Sequence, residues 1–161
     1  MARRRNLTLA VVVAALVVLV DQASKAWAEA SLPPGREVTA IHGWLWFRLA
    51  RNTGATLGLF SGHNQLVSVL SLLVVVAVGM VLLRGPAGGM LGAGALGAIA
   101  GGAIGNLIDR VRLGAVTDFI EVHLWPTNFN LADAAIRIGV LVLVVALLWE
   151  LVRSRRRPAT G

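Results

Sequence analysis

Four long apolar runs are spaced along the chain, and the polar residues gather between them instead of alternating within them. The first run goes from Leu7 to Val20 and continues through Asp21-Gln22-Ala23-Ser24-Lys25 to Trp27. The second is Leu66 to Leu83, the third Met90 to Leu107, and the fourth Leu131 to Leu151. Each reaches or nearly reaches the ~20 residues that a helix needs to cross the hydrocarbon of a bilayer. The pattern predicts a single all-α membrane domain over residues 1–161, with spans about 7–27, 66–83, 90–107 and 131–151 and long loops about 29–65 and 109–130. Inside the first long loop, Val38-Thr39-Ala40-Ile41 and Leu45-Trp46-Phe47-Arg48-Leu49 flank His42-Gly43 and read as two short strands. The third run carries Gly92, Gly94, Gly97, Gly101, Gly102 and Gly105. Small residues let membrane helices approach closely, which places this run at the centre of the bundle.

Composition agrees with the bilayer as solvent. Hydrophobic residues make up 57% of the 161 and charged ones 14%, and the mean hydropathy is +0.75. A soluble domain of this length has too little interior to hide so much apolar surface. The absence of cysteine excludes disulfides, thiolate metal sites and thiol catalysis. A net charge of +7 first suggests a nucleic-acid partner, but the basic residues bunch at Arg3, Arg4 and Arg5 and at Arg153, Arg155, Arg156 and Arg157, beside apolar runs. Cytoplasmic anchors of membrane helices look like this, and no basic groove with interleaved aromatics points to nucleic acid.

The same arginines orient the bundle. The side holding both termini and Arg84 carries eight, and the opposite side carries Arg36, Arg48, Arg51, Arg110 and Arg112 in longer loops. Both termini are therefore predicted to be cytoplasmic and the long loops outside. Trp27, Trp44, Trp46 and Trp125 then fall on the outer side, where interfacial tryptophans belong. The first run has a rival reading as a cleavable signal peptide, with Ala26-Trp27-Ala28 as its cutting site. Asp21 and Lys25 stand between core and site, where such peptides avoid charge.

Ionisable groups within spans are expensive and usually functional. At the helical rise, Asp21 stands roughly 21 Å from Leu7, Asn106 and Asp109 roughly 27 and 31 Å from Gly88, and Asp133 roughly 30 Å from Arg153. Three spans thus bring carboxylates to the outer boundary, and Asp118 sits in the loop joining two of them. Structural alternatives compete at each position. Asp109 with Arg110 and Arg112 makes an interfacial ion network, Asp133 pairs with Arg137, or Asp21 pairs with Lys25, the last two at i,i+4 spacing. Asp118 has apolar flanks in Val116-Thr117-Asp118-Phe119-Ile120, unusual for a solvated loop acid.

Two carboxylates in a partly dry site suit aspartic-type peptide hydrolysis. One keeps a proton while the other stays anionic; the anion takes a proton from water and the acid polarises the scissile carbonyl. Asp118 and Asp133 are the expected pair, and no metal, cofactor or covalent intermediate is required. His42, His63 and His123 lack metal-ligand spacing, and there is no serine elbow or nucleotide loop.

These blocks resemble lipoprotein signal peptidase (signal peptidase II) of bacteria. The resemblance lies in Asp21-Gln22-Ala23-Ser24-Lys25, Arg51-Asn52-Thr53-Gly54-Ala55, Gly102-Ala103-Ile104-Gly105-Asn106-Leu107-Ile108-Asp109-Arg110 running on through Gly114-Ala115-Val116-Thr117-Asp118-Phe119-Ile120, and Phe129-Asn130-Leu131-Ala132-Asp133-Ala134-Ala135-Ile136. It implies a catalytic dyad of Asp118 and Asp133, with Asp21, Lys25, Asn52, Gly54, Asn106, Asp109, Arg110 and Asn130 supporting the site or binding substrate. It further implies a small extracytoplasmic β-cradle in the first outer loop and a place in the bacterial cytoplasmic membrane. Substrates would be diacylglyceryl-modified prolipoproteins cut just before the lipidated cysteine, with membrane lipid as a further partner and globomycin as inhibitor. The chain departs from the family at Thr56-Leu57, where a small residue and an aromatic usually stand. A four-span proton- or cation-coupled transporter is the alternative function, although it would want a charge at mid-bilayer; a structural adaptor would need no clustered acids.

Overall fold

A computed structural model describes residues 1–33, 35–54, 60, 62–85, 88–125 and 127–155. Thr56-Leu57, Ala55, Arg156 and Arg157 lie outside the described residues. Four helices carry the apolar runs: α1 (Ala2–Ser31), α2 (Asn64–Arg84), α3 (Gly89–Leu113) and α4 (Leu131–Arg155), each long and apolar enough to cross a membrane. The chain is a multi-pass membrane protein. Three strands complete it, β1 (Glu37–Ile41), β2 (Leu45–Asn52) and β3 (Val116–Val122), in one antiparallel sheet of order β1-β2-β3.

The first three helices outrun the predicted spans at both ends and the fourth at its C-terminal end; in α3, Asp109 and Arg110 find partners within the bundle and need not end the helix. α3 is the central helix, buried along most of its length. Its adjacent Gly101 and Gly102 face opposite neighbours. A Cβ on Gly101 would come within 2.7 Å of the Ala14 carbonyl oxygen in α1, and one on Gly102 within 2.5 Å of that of Ala132 in α4. Both helices can touch α3 only because no side chain intervenes. α3 ends at Gly114, in the left-handed conformation at φ 70°, with its N–H bonded to the Arg110 carbonyl at 3.1 Å. At the end holding both termini, the Arg3 guanidinium donates to the Leu83 carbonyl.

The third strand was not anticipated. The first long loop supplies β1 and β2, and β3 comes from the second, pairing Ala50 with Asp118 and Asn52 with Val116. Its sequence lacks the alternation that marks a half-buried strand, since Ala115 to Phe119 are all buried. The sheet is held to the bundle by Phe47 and Phe119, which meet the Trp27 ring edge-on at centroid distances of 5.5 and 6.2 Å.

Candidate active site

Asp118 lies mid-strand in β3 and Asp133 in the first turn of α4. The chain between them returns to the sheet, where Phe129 and Ile120 exchange backbone hydrogen bonds at 2.9 Å each. That bridge sets Asn130 beside Asp118. The Asn130 amide donates to Asp118 Oδ1 at 2.7 Å, and its Oδ1 accepts the Asp133 N–H at 2.9 Å. One side chain thus starts α4 in the manner of an N-cap and ties the Asp118 carboxylate to the Asp133 backbone.

Asn52 and Asn106 are held in the same way. Asn52 Oδ1 accepts the Gly54 N–H at 2.9 Å, which turns its amide toward Asp118 Oδ2 at 3.0 Å. Asn106 Oδ1 accepts from Lys25 Nζ at 3.0 Å, which turns its amide toward Asp133 Oδ1 at 2.8 Å. Each asparagine uses its oxygen to orient itself and its N–H to hold a carboxylate.

Beneath them lies a buried ionic cluster. Lys25 Nζ reaches Asp21 at 2.9 Å and Asp109 at 3.1 Å, and with Asn106 its three N–H groups are matched. Asp21 also accepts the Ala132 N–H at 2.9 Å, and Asp109 the Thr117 N–H at 3.0 Å. Asp21, Lys25, Asp109, Asp118, Thr117 and Asn130 are all buried.

Asp118 titrates well above the ordinary carboxylate range, pushed up to about 6. Burial is the main cause, the neighbouring Asp133 charge adds to it, and the amides of Asn52 and Asn130 and the Lys25 charge partly offset both.

All ten residues singled out from the sequence meet at this end of the bundle. Of the competing pairings, Asp21–Lys25 forms, but as part of the larger cluster. Asp109 turns to Lys25 and not to Arg110 or Arg112. Arg110 donates to the Gly54 carbonyl at 2.9 Å, and Arg112 to Gln22 at 3.3 Å. Arg137 leaves Asp133 and stacks on Trp125 and Phe129, 4.6 and 5.2 Å from the ring centroids. Sequence reading missed Gln22, whose amide lies 3.2 Å from Asp21 and 3.1 Å from Asp109. It also missed Thr117, whose hydroxyl accepts from Arg51 and donates to Glu29. A glutamine inside an apolar run was the available signal for the first; the second had none.

A cavity of about 250 Å³ opens below Asp133 between α2, α3 and α4, lined by Asn52, Gly54, Asn106 and Arg110 and by apolar groups including Val67, Val74 and Ile136. A larger one, about 760 Å³, lies at the opposite end against Leu91 and Trp149, and none of the ten residues lines it. An apolar cleft with a polar end next to two carboxylates suits an extended apolar peptide entering from the bilayer.

A model of the family described as signal peptidase (SPase) II matches residues 13–149. The lipoprotein signal peptidase of Syntrophomonas wolfei is 43% identical over 141 residues, covering 88% of this chain and 93% of its own. That of Dehalococcoides mccartyi is 44% identical over 141 residues, covering 84% and 86%. A bacterial membrane enzyme solved by the in meso method at 2.3 Å resolution superposes with a TM-score of 0.84 at 28% identity, covering 94% of this chain and 93% of its own.

Proposed function

The chain belongs to the signal peptidase (SPase) II family, and from that premise we propose that it is an aspartic endopeptidase that removes signal peptides from diacylglyceryl-modified prolipoproteins, cutting just before the lipidated cysteine. The observation that carries the catalytic type is the Asn130 bridge, one side chain bonded both to Asp118 and to the Asp133 backbone. Asp118, with its raised affinity for a proton, is the acid that polarises the scissile carbonyl. Asp133, held by Asn106, is the base for the attacking water. In the bacterial cytoplasmic membrane the arginine bias puts both termini inside and the dyad at the outer face. A lipidated cysteine presents its scissile bond at that depth while its acyl chains stay in the bilayer. The cavity below Asp133 takes the apolar signal peptide and is the place for globomycin to compete. Transport is not favoured, since the similar proteins are peptidases.

The test is cleavage by purified protein in lipid. A diacylglyceryl-cysteine precursor is expected to be cut before that cysteine. Recognition of even three methylenes at ~0.8 kcal/mol each predicts that an unlipidated precursor is cut about fiftyfold less efficiently or worse. Equal cutting of both would remove the substrate assignment.

A pH profile tests the proton assignment. The dyad needs Asp118 protonated, so kcat/KM should fall as pH rises past about 6, approaching about tenfold per unit. Removing the Asn52 donor in Asn52→Leu takes away a contact that favours the anion, so the limb should move to higher pH. A limb that stays put in this variant would mean that Asp118 is not the titrating acid.

A further inference from the structure

Arg137 has no role in the chemistry above, and its surroundings are unusual for a cation. All eight acidic residues are described, and none lies within ion-pair distance of it. Among the described residues its guanidinium is held by the rings of Trp125 and Phe129 alone. It stands roughly 9 Å along α4 from Leu131, within a membrane-crossing helix. Its neighbours Ile138 and Leu141, the latter one turn on, are 61% and 64% exposed, and Leu124 beside Trp125 is 75% exposed. In water those side chains would be a costly apolar patch; at this depth they meet lipid. A helical side chain points back toward the helix N-terminus, so Arg137 reaches up from the acyl region to the headgroup level. Stacking on two rings holds the plane of the guanidinium, and its N–H edge has no acceptor among the described residues. A cation fixed at the headgroup level, rimmed by apolar surface and lacking a carboxylate, is complementary to a phosphodiester carried on acyl chains.

We infer that Arg137, clamped by Trp125 and Phe129, binds the phosphate of a membrane phospholipid in the leaflet next to the sheet, beside the start of α4. Asp133 lies one turn away on the same helix, so a bound phospholipid forms part of the wall along which a lipid-bearing chain reaches the dyad. The binding step rests on the four-helix membrane architecture and not on the peptidase reading.

Native mass spectrometry of the purified full-length protein tests it with phosphatidylglycerol and a glycosyl diacylglycerol of the same acyl chains. Loss of a charge-assisted phosphate contact is worth about tenfold, so the wild type should retain the phospholipid over the glycolipid by about that factor. Arg137→Gln should abolish the preference, and Arg137→Lys should keep part of it. Equal retention of the two lipids by the wild type overturns the inference without using any variant. So does an unchanged preference in folded Arg137→Gln. Displacement of the lipid by free glycerol phosphate at millimolar concentration would make this a soluble-phosphate site and overturn the lipid assignment. The readout is binding, so failure here leaves cleavage of the lipidated precursor to be judged separately.

Discussion

Asp118→Asn and Asp133→Asn are each expected to lower turnover of a lipidated precursor by about 10³-fold or more, with the protein still inserted and abundant. The amide is isosteric with the acid, so packing is conserved. At Asp118 the change removes a group that must switch between proton donor and acceptor within one cycle. At Asp133 it removes the proposed base. In the proposed mechanism both residues act in a single proton relay, so the double variant should be little worse than either alone. The Asn130 and Asn106 contacts make the two sites unequal in stability. An amide at 118 can place its N–H₂ against the Asn130 or Asn52 amide, a repulsive contact that the acid lacks, and at 133 only Asn106 is affected. Single-turnover cleavage followed by mass spectrometry, beside membrane abundance, measures both quantities. Near wild-type turnover in either folded variant would refute the dyad.

Lys25→Met is expected to destabilise the protein by about 3–5 kcal/mol, the cost of leaving buried carboxylates without their cation. Lys25 and Asp21 are 2% and 0% exposed and Asp109 is 1% exposed, so water cannot take over the lost partner. The damage should also reach the dyad. Without the Lys25 N–H, Asn106 loses the bond that aims its amide at Asp133. Catalysis should therefore fall in whatever fraction remains folded. Combining Lys25→Met with Asp21→Asn and Asp109→Asn removes the charges along with their counterion and should restore much of the stability. Thermal unfolding in detergent compares the three proteins. A single variant within about 1 kcal/mol of wild type would mean that the cluster is solvated or neutral.

The bundle was legible because membrane spans leave a continuous signal: twenty apolar residues read the same whatever packs on them. Depth was legible for the same reason, since helical rise converts position into height, and Asp21, Asn106, Asp109 and Asp133 do meet at one end. Pairings were less legible. Asp133 and Arg137 have the spacing of an ion pair, yet Arg137 finds Trp125, a residue in the loop before α4 whose position no helical spacing rule supplies. β3 escaped notice because a strand covered on both faces loses its alternation. The roles of the three asparagines were beyond sequence reading, since the direction of an amide depends on what its oxygen accepts. The blocks that resemble the family marked these residues as belonging together without saying how.

The hydrogen bond from the Ala132 N–H to Asp21 joins residues 111 positions apart, the first helix to the last. During synthesis, α1 enters the membrane long before α4 leaves the ribosome. Until then Asp21 lacks this partner, β3 has no bridge to Phe129, and Asp133 does not yet exist as a neighbour of Asp118. If Asp118 and Asp133 are the dyad, as proposed, a nascent chain would be inactive however much of the bundle is inserted. On the proposed dyad the last helix is the switch, and a ribosome stalled before that point would leave a three-helix fragment whose ionic cluster has its ion pairs but lacks the Ala132 N–H.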